Sequence, residues 1–294
     1  MVSISDLGPD QINQYFAHIQ LPSEFQGRGL NLEFLSVIHT HHISRIPYEN
    51  VALHYSKTPG ISLNIAEIYD KFVVKGRGGY CMEHNIFLCH VLRFLGFQVY
   101  LTGARLHRDA NSSAPGWSGW EHAVNIVTLS NKAQYLVDVG YGGDGPTIPV
   151  PLDAACMPMP NLGTQELRLL HGSAPGLSDG CGQDNLWTYQ LQNGPDQPWR
   201  SGYSFYEIEF FPRDFEVINF YTSQSPAGVL TNRVLVIRFL REQGRICGKV
   251  VLNQNEVKKN IGEEERVKIL RDYFGIDLTR EEQDAIVGRK SALA

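Results

Sequence analysis

The sequence lacks the features of membrane-spanning and disulfide-stapled proteins. No stretch approaches the roughly 18 consecutive apolar residues that mark a membrane-spanning helix. The five cysteines, at positions 81, 89, 156, 181 and 247, are odd in number and share no tight spacing, which does not suit a disulfide framework. The first residues also lack the basic-then-apolar order of a secretory signal. We therefore expect a cytoplasmic protein with no membrane partner.

An excess of positive charge is also lacking. The formal net charge is −5 at pH 7, whereas proteins that bind nucleic acid usually present basic surfaces. We therefore expect no nucleic-acid partner. The apolar fraction of 43% and the charged fraction of 19% are typical of globular proteins, and 294 residues exceed a usual single core. Two or three packed subdomains are expected, in a monomer or a homodimer.

Hydrophobic periodicity divides the chain into three parts. Apolar residues recur every three to four positions in the first part and predict helices, the last of which starts at Cys81 and ends at Gly96. Short alternating or β-branched runs bounded by turn residues follow and predict strands. The chain then returns to helix. The order is helices, then sheet, then a mixed end, which predicts an α+β fold with boundaries near residues 96 and 205.

The segment GRGGYCMEHN (76–85) places a cysteine between a glycine-rich turn and a helix start. The unpaired N–H groups and the macrodipole of a helix N-terminus favour an anion, so we expect a lowered pKa for the Cys81 thiol. The glycines at 76, 78 and 79 allow positive φ and leave the sulfur open to a substrate. A cysteine packed under a helix is the alternative that position alone leaves open.

A cysteine nucleophile needs a base and a group that orients the base. His122 starts one predicted strand and Asp138 ends the next, and SNKA joins the two strands as a hairpin. A loop of two or four residues turns Asp138 away from His122, whereas a loop of three or five residues puts both on one face. We predict the odd-numbered loop, with Asp138 opposite Val124 or Ile126. His122 then takes the Cys81 proton. A half-buried structural histidine and a turn-forming aspartate remain the alternatives.

Four stretches resemble the motifs of the arylamine N-acetyltransferases. RGGYCMEHN resembles the Arg-Gly-Gly-x-Cys-x-(Glu/Gln)-x-Asn signature of that family, and the separations among Cys81, His122 and Asp138 are similar to the family's. The other stretches are RIPYENV (45–51), VDVGYGG (137–143) and NFYTSQSPAGVLT (219–231). This chain departs from the family at Gly228, where Ser is common, and in a poorly matched insertion after residue 151.

The resemblance implies a cysteine-protease-like core with three domains. These are a helical bundle (1–96) that carries Cys81, a β-barrel (97–205) that carries His122 and Asp138, and an α/β lid (206–294). An irregular insertion is expected at about 151–185 within the barrel.

The resemblance also implies a two-step acyl transfer. An acetyl group passes from acetyl-CoA to Cys81 and then to an arylamine, arylhydrazine or arylhydroxylamine. Acyl-CoA is a co-substrate, and no cofactor is permanently bound. Malonyl or propionyl donors remain open. A transglutaminase-like or papain-like thiol hydrolase uses the same order of Cys, His and Asp and remains an alternative, as does a non-catalytic protein that kept the fold.

The resemblance assigns ligand contacts as well. Ser118 and Gly119 match positions at which family members contact coenzyme A, and Ser225 is a weaker candidate for the same ligand. Tyr48 and Tyr141 stand where Phe is common in the family. We expect both rings to line the acceptor pocket and to stack on a flat aromatic amine.

Two charged residues and a run of histidines complete the expectations. Arg77 and Glu49 have opposite charge and lie in motifs that sit beside the cysteine in the family, so we predict a structural ion pair that shapes the glycine turn. The run HTHH (39–42) has a spacing that matches no closed tetrahedral metal site, and no cysteine pair supports one. We predict no metal site and a polar helix end there.

Overall fold

Helices come first along the chain, as the periodicity predicts. The computed structural model describes residues 5–27, 29–108, 116–153, 157–172, 185–253 and 261–293. Its helices before residue 100 are α1 (Pro9–His18), α2 (Leu32–Arg45), α3 (Ile65–Tyr69) and α4 (Cys81–Leu95). A π-helical turn over Asp70–Val74 continues α3. Helix α4 starts at Cys81 and ends at Gly96, whose φ of 95° lies in the left-handed region, as the sequence predicts.

An antiparallel sheet of eight strands follows. In order across the sheet its strands are β5 (Val150–Pro151), β4 (Gln134–Val137), β3 (Gly116–Thr128), β2 (Gln98–Arg108), β9 (Arg200–Tyr206), β8 (Leu186–Gln192), β7 (Glu166–Gly172) and β6 (Met159–Pro160). Side chains of its central strands, among them Val124, Ile126 and Tyr203, form a buried cluster.

The eight-stranded sheet is a curled half-barrel and not the barrel that the resemblance implied. Its two ends, β5 and β6, pair with one neighbour each among the described strands. Both end strands contain a proline, Pro151 and Pro160, which has no N–H to donate to a further strand. Part of the insertion predicted at about 151–185 is regular, because β6 and β7 lie within it. Residues 154–156 and 173–184 of that insertion lie outside the described ranges.

The hairpin of β3 and β4 has the predicted odd register. Asn125 pairs with Val137 and Thr128 with Gln134, and Leu129 donates its N–H to the carbonyl of Ala133 at 2.9 Å. Continued by one residue, this register puts Asp138 opposite Val124, on the face that His122 also shares. The prediction that the loop length would bring His122 and Asp138 together is confirmed.

A second, smaller sheet joins the two ends of the chain. Strand β10 (Leu235–Glu242) lies between β1 (Tyr48–Glu49) and β11 (Arg245–Asn253), and Tyr48 lies opposite Ile237. The C-terminal helices are α5 (Pro212–Gln224), α6 (Val229–Asn232), α7 (Glu263–Phe274) and α8 (Arg280–Ala285). Strand β1 belongs to the first part of the chain and β10 to the last. This sheet therefore ties the expected first and third domains together beside α4.

The largest hydrophobic cluster extends across the expected domain boundaries. It includes Phe87 on α4, Val127 on β3, Phe215 on α5 and Phe239 on β10. Helix α4, with Cys81 at its N-terminus, is therefore packed from several sides. None of the helices in the described ranges has the length and apolar character needed to cross a bilayer.

Candidate active site

Cys81 lies at the first position of α4 and is 4% exposed. Of the three glycines before it, only Gly76 has a positive φ (62°). Gly78 and Gly79 are needed because a side chain at either position would clash with neighbouring atoms. A Cβ at Gly78 would lie 1.8 Å from the carbonyl oxygen of Pro47, and one at Gly79 would lie 2.6 Å from the carboxylate of Glu83. Side chains at these positions would force the turn away from α4. The two glycines therefore allow the turn to pack closely against Pro47 and Glu83 immediately before Cys81.

His122 and Asp138 form a buried hydrogen-bonded pair. The distance from His122 Nε2 to Asp138 Oδ2 is 2.7 Å, and each residue is 1% exposed. A bulge in β3 precedes His122: Ala104 pairs with His122 and Arg105 with Trp120, which leaves Glu121 unpaired. The Cys81 thiol donates to the carbonyl of Glu121 at 3.7 Å. The bulge therefore turns the peptide before His122 toward the sulfur.

Asn85 connects α4 to the strands that carry His122 and Asp138. Its Nδ2 donates to Asp138 Oδ1 at 2.9 Å and to the carbonyl of Ala123 at 2.7 Å. Its Oδ1 accepts the N–H of Val139 at 3.1 Å. Asn85 lies one helical turn after Cys81, on the same face of α4. It therefore holds the carboxylate of Asp138 at a fixed position relative to Cys81.

The loop after Asp138 packs directly on Cys81. A Cβ at Gly140 would lie 2.8 Å from both the Cα and the carbonyl oxygen of Cys81. The Gly140 N–H also donates to Asp138 Oδ1 at 2.9 Å. Glycine at 140 is therefore required for the close approach of the loop to α4.

The predicted lowering of the Cys81 pKa is wrong. Burial raises the pKa of the thiol, and the charge of Asp138 raises it further, whereas the backbone N–H groups at the start of α4 lower it. The net direction is upward, because removing the sulfur from water outweighs the helix N-terminus. Burial also acts to raise the pKa of Asp138, but the charge of His122 and hydrogen bonds from its donors lower it below its ordinary value. Burial of the sulfur thus opposes the thiolate that the helix N-terminus favours, whereas the partners of Asp138 favour its ionised form.

Both predicted aromatic residues lie at the site. The ring of Tyr141 meets the ring of His122 edge-on, with 5.5 Å between centroids. The ring of Tyr48 is parallel to that of His84 at 6.3 Å, and a Cβ at Gly142 would lie 3.7 Å from Tyr48 Cδ1. Both tyrosines are half-buried. The structure thus brings the two rings to the loop that follows Asp138.

The predicted ion pair between Arg77 and Glu49 is wrong. Arg77 Nη2 instead lies 2.7 Å from Glu282 Oε1 on α8. Glu49 is 1% exposed, accepts the N–H of Val51 at 2.5 Å and lies 3.8 Å from Lys71 Nζ. Glu49 is thus neutralised from the buried side by a lysine, while Arg77 points toward the C-terminal helix.

Lys71 makes a second contact beneath the glycine turn. Its Nζ donates to Glu83 Oε1 at 2.8 Å, while Glu83 Oε2 accepts the N–H of Tyr80 at 3.0 Å. The carbonyl of Lys71 accepts the N–H of Arg77 at 2.9 Å. Burial acts to lower the pKa of Lys71, but the two carboxylates outweigh it and raise that pKa; burial raises the pKa of Glu83. Lys71 therefore ties the turn, the start of α4 and β1 together.

The positions expected to contact coenzyme A lie on the outer parts of two elements. Ser118 is half-buried on β3, where its Oγ accepts the N–H of Leu106 at 2.9 Å and donates to the carbonyl of Gly119 at 2.7 Å. Gly119 is exposed, and a Cβ there would meet no atom within 4 Å. Ser225 is half-buried at the C-terminal end of α5. Contacts of these residues with coenzyme A stay a prediction.

The run HTHH is not the polar helix end that we expected. Its three histidines are 0–3% exposed, and each has a protein partner. The partners of His39, His41 and His42 are the carbonyl of Pro146 (2.9 Å), the carbonyl of Ile19 (3.0 Å) and Nδ1 of His84 (2.8 Å). Among the described residues, no group of three or more His, Cys, Asp or Glu side chains could hold a metal ion.

Sequence reasoning missed three residues that hold the site together, two of them beside His122 and Asp138 and one beneath the glycine turn. Asn85 could have been found, because it follows Cys81 by four positions on a predicted helix. Asn125 was signalled weakly, as a polar residue inside an apolar strand; its Nδ2 donates to the carbonyl of Asn85 at 3.0 Å. Lys71 gave no signal, since nothing in its neighbourhood distinguishes it from a surface lysine.

Most of this chain can be matched to known N-acyltransferases. A family model described as N-acetyltransferase matches residues 31–283. The N-malonyltransferase FDB2 of Fusarium pseudograminearum (strain CS3096) is 30% identical, over 94% of this chain and 91% of its own length. An arylamine N-acetyltransferase of Escherichia coli (strain K12) is 29% identical, over 80% of this chain and 75% of its own.

Solved structures show the same fold. The arylamine N-acetyltransferase from Mycobacterium abscessus has a TM-score of 0.75 at 24% identity and covers 94% of this chain and 93% of that one. The Mycobacterium marinum enzyme in complex with CoA has a TM-score of 0.74 at 22% identity and covers 96% of this chain and 100% of that one. Because the family model spans most of the sequence and the malonyltransferase matches it over nearly its whole length, the protein belongs to the arylamine N-acetyltransferase family and is an N-acyltransferase.

Proposed function

We propose that the protein transfers an acetyl group from acetyl-CoA to an aromatic amine through a thioester at Cys81. The acceptor is an arylamine, arylhydrazine or arylhydroxylamine. The observation that carries this proposal is the buried pair of His122 and Asp138, 2.7 Å apart, beside a thiol that donates to the carbonyl preceding His122. We take this to be a cysteine-protease-like arrangement, with the nucleophile on a helix and its base on a sheet.

The hydrogen bond to Asp138 fixes the tautomer of His122. An ionised carboxylate only accepts, so Nε2 of His122 carries the proton that Asp138 binds, and Nδ1 keeps its lone pair. Nδ1 is therefore the atom that takes the proton from the Cys81 thiol. Asp138 stabilises the imidazolium that results and does not itself need to take a proton.

In the first half-reaction, Cys81 Sγ attacks the thioester carbon as its proton passes to His122. The carbon–sulfur bond to coenzyme A then breaks, and the imidazolium returns its proton to the departing sulfur. Backbone N–H groups at the start of α4 are placed to stabilise the developing oxyanion. Exchange of one thioester for another is nearly balanced in energy, so a cysteine is a suitable carrier.

In the second half-reaction, the amine nitrogen attacks the Cys81 thioester and an amide bond forms. The proton lost by the amine passes to His122, the bond between carbon and Sγ breaks, and Sγ takes the proton back. Because burial raises the pKa of the Cys81 thiol, the proposal requires His122 to accept its proton as the substrate is attacked. The thiol has to stay reduced for the reaction, which suits a cytoplasmic compartment.

The ligands have separate places in this proposal. Coenzyme A follows the outer end of β3 at Ser118 and Gly119, where the absence of a side chain leaves space, with Ser225 as a further contact. The acceptor ring stacks on Tyr48 and Tyr141. A domain division at residues 96 and 205 remains part of the proposal.

Malonyl transfer is a second candidate, and one observation favours it. The N-malonyltransferase FDB2 matches this chain over 94% of its length, more than the acetyltransferase of Escherichia coli does. A malonyl donor carries a carboxylate that acetyl lacks, so it requires a cation near the thioester.

Intact-mass measurement after incubation with a single acyl-CoA tests the proposal. We expect a gain of one acyl group with acetyl-CoA or malonyl-CoA, none in Cys81→Ala, and discharge of the adduct when an arylamine is added. An adduct that persists in Cys81→Ala would contradict the role of Cys81. Loss of the adduct to water at the same rate with and without amine would favour a thiol hydrolase.

A further inference from the structure

The loop after Asp138 runs from the nucleophile to a lysine on the C-terminal sheet. Gly140 packs on the backbone of Cys81, as described above. Two residues further, a Cβ at Gly142 would lie 3.3 Å from Ile237 Cδ1. At the next residue, a Cβ at Gly143 would lie 3.2 Å from Lys249 Nζ. The Cα atoms of Gly140 and Gly143 are at most about 11 Å apart, since three peptide units join them.

Lys249 extends from β11 onto this loop. Its Nζ donates to the carbonyl of Gly143 at 2.6 Å and lies 3.4 Å from Asp144 Oδ1. The side chain is 28% exposed. An ammonium group has three N–H donors. The third has no acceptor within the described part of the chain, so the group is held in place and can bind another oxygen.

The charge around Lys249 is positive on balance. Asp144 is the acidic partner of Lys249, but its other carboxylate oxygen lies 3.4 Å from Arg200 Nη2. One carboxylate is therefore shared between two cations, at distances longer than a normal charged hydrogen bond. This arrangement leaves the rim of the loop able to attract a second carboxylate.

A malonyl group has the right reach for this lysine. From standard bond lengths, its carboxylate oxygens lie about 4 Å beyond the thioester carbon. Allowing about 3 Å for the attacking sulfur and about 2.8 Å for a charged hydrogen bond, an ammonium can bind that carboxylate from about 10 Å away from Sγ. The loop from Gly140 to Gly143 can span at most about 11 Å, so a reach of about 10 Å is compatible with its length.

We propose that Lys249, held by the carbonyl of Gly143, is the binding site for the free carboxylate of a malonyl donor. This inference rests on the second candidate of the proposed function, malonyl transfer, and names the residue that binds the malonyl carboxylate. Glycine at 143 is part of the site, because any side chain there would push the ammonium away from the loop. Acetyl and propionyl groups have no carboxylate and gain nothing from Lys249.

The experiment compares kcat/KM for malonyl-CoA, propionyl-CoA and acetyl-CoA with one arylamine acceptor. In Lys249→Met we expect the ratio of malonyl to acetyl kcat/KM to fall about 10- to 100-fold, the usual effect of losing a hydrogen bond between charged groups. Lys249→Arg keeps the charge and should keep part of the preference. Lys268→Met changes an exposed lysine on α7, and as the matched control it should leave the ratio unchanged.

Asp144→Asn gives an independent measurement. Removing the competing carboxylate should raise the malonyl-to-acetyl ratio a few-fold, in the opposite direction to Lys249→Met. If Lys249 bound the phosphates of coenzyme A, or only tied the sheet to the loop, Lys249→Met would lower kcat/KM equally for all three donors. An unchanged malonyl-to-acetyl ratio would therefore overturn the inference. A wild-type protein that uses acetyl-CoA and rejects malonyl-CoA would also overturn it. A wild-type protein acylated by none of the donors would instead refute the proposed function.

Discussion

The two sides of Cys81 are built from different kinds of contact. The inner wall, made of α4, the turn before it, β3 and the residues after β4, holds Asn85, His122 and Asp138, which are 0–1% exposed. The outer wall, made of β10, β11 and α8, holds Lys249 and Glu282, whose side chains are 28% and 32% exposed. The inner wall is buried, and Asn85, His122 and Asp138 are hydrogen-bonded within it, whereas the outer wall meets water.

This difference separates two tasks. Electrostatic interactions are strong in a dry site, and a polar group that loses its partner there costs free energy because water cannot replace it. Proton transfer needs such fixed geometry. Charged groups at a wet rim interact weakly, but they can exchange one partner for another, as recognition of a donor carboxylate requires. We therefore expect substitutions on the inner wall to affect catalysis and folding, and those on the outer wall to affect selectivity.

The largest effect is expected for Asn85→Leu. The change removes hydrogen bonds to Asp138, to the carbonyl of Ala123 and from the N–H of Val139, and leaves those groups buried. We expect the unfolding free energy to fall by about 3 kcal/mol and the acylation rate to fall about 100-fold or more, because Asp138 is no longer positioned. Urea unfolding and the rate of acyl-enzyme formation measure the two effects.

Asn13→Leu, at an exposed position on α1, is the control for Asn85→Leu and should change neither quantity appreciably. An Asn85→Leu protein that is as active as the wild type would show that Asp138 is positioned without α4. The inner wall would then not be the single hydrogen-bonded unit that the distances indicate.

The next effect concerns the buried charges under the glycine turn. Lys71→Met leaves Glu83 and Glu49 without a cation, and we expect a loss of about 3 kcal/mol of unfolding free energy. Adding Glu83→Gln to Lys71→Met removes one of the two carboxylates while keeping an acceptor for the Tyr80 N–H. The double variant should therefore be more stable than Lys71→Met alone. Simple additivity of the two changes in urea unfolding would show that the pair is not coupled.

The parts of the inner wall that lie close together in sequence could be predicted. The start of α4 at Cys81 follows from the glycine turn and the apolar stripe. The pairing of His122 with Asp138 follows from loop length, since a hairpin has only two possible parities. The period of a strand limits the hairpin to two parities, and the odd one is predicted because it alone lets Asp138 meet His122.

The parts that depend on distant residues could not be predicted. Arg77 and Glu282 are 205 positions apart, and no local pattern indicates that α8 folds back onto the glycine turn. The bulge at Glu121 is a single-residue irregularity in the pairing of β2 with β3, and no local pattern marks it. The direction of the Cys81 pKa was missed for a similar reason. The helix N-terminus is visible in the sequence, whereas the burial that outweighs it comes from elements packed from elsewhere.

The unfolding free energy should fall as the pH is lowered from about 6.5 to about 4. Burial lowers the pKa of His39 and of His84 from 6.5 to about 4. Between these values the unfolded chain binds protons that the folded chain does not, so stability rises with pH across this window and is lost as pH falls from about 6.5 to about 4. We expect the unfolding free energy to be lower at pH 5 than at pH 7 by at least about 1 kcal/mol.

Urea unfolding at the two pH values tests this expectation. His84→Gln removes one of the buried titrating groups, so it should reduce the difference between pH 5 and pH 7 while lowering stability at both. Equal stability of the wild type at pH 5 and pH 7 would contradict the description of these histidines as neutral and buried.

The smallest effect is expected at the outer end of the glycine turn, where Arg77 meets Glu282. The side chains of this pair are 14% and 32% exposed, so water and salt screen part of their attraction. Arg77→Gln and Glu282→Gln should each cost about 0.5–1 kcal/mol. Their coupling energy in a double-mutant cycle should stay below about 1 kcal/mol and shrink further in 1 M salt. A coupling as large as that between Lys71 and Glu83, and insensitive to salt, would mean that α8 fixes the nucleophile's turn as firmly as the buried charges do. In that case Arg77, where the inner and outer walls meet, would contradict the division into a buried wall that positions the catalytic groups and an exposed wall that selects the donor.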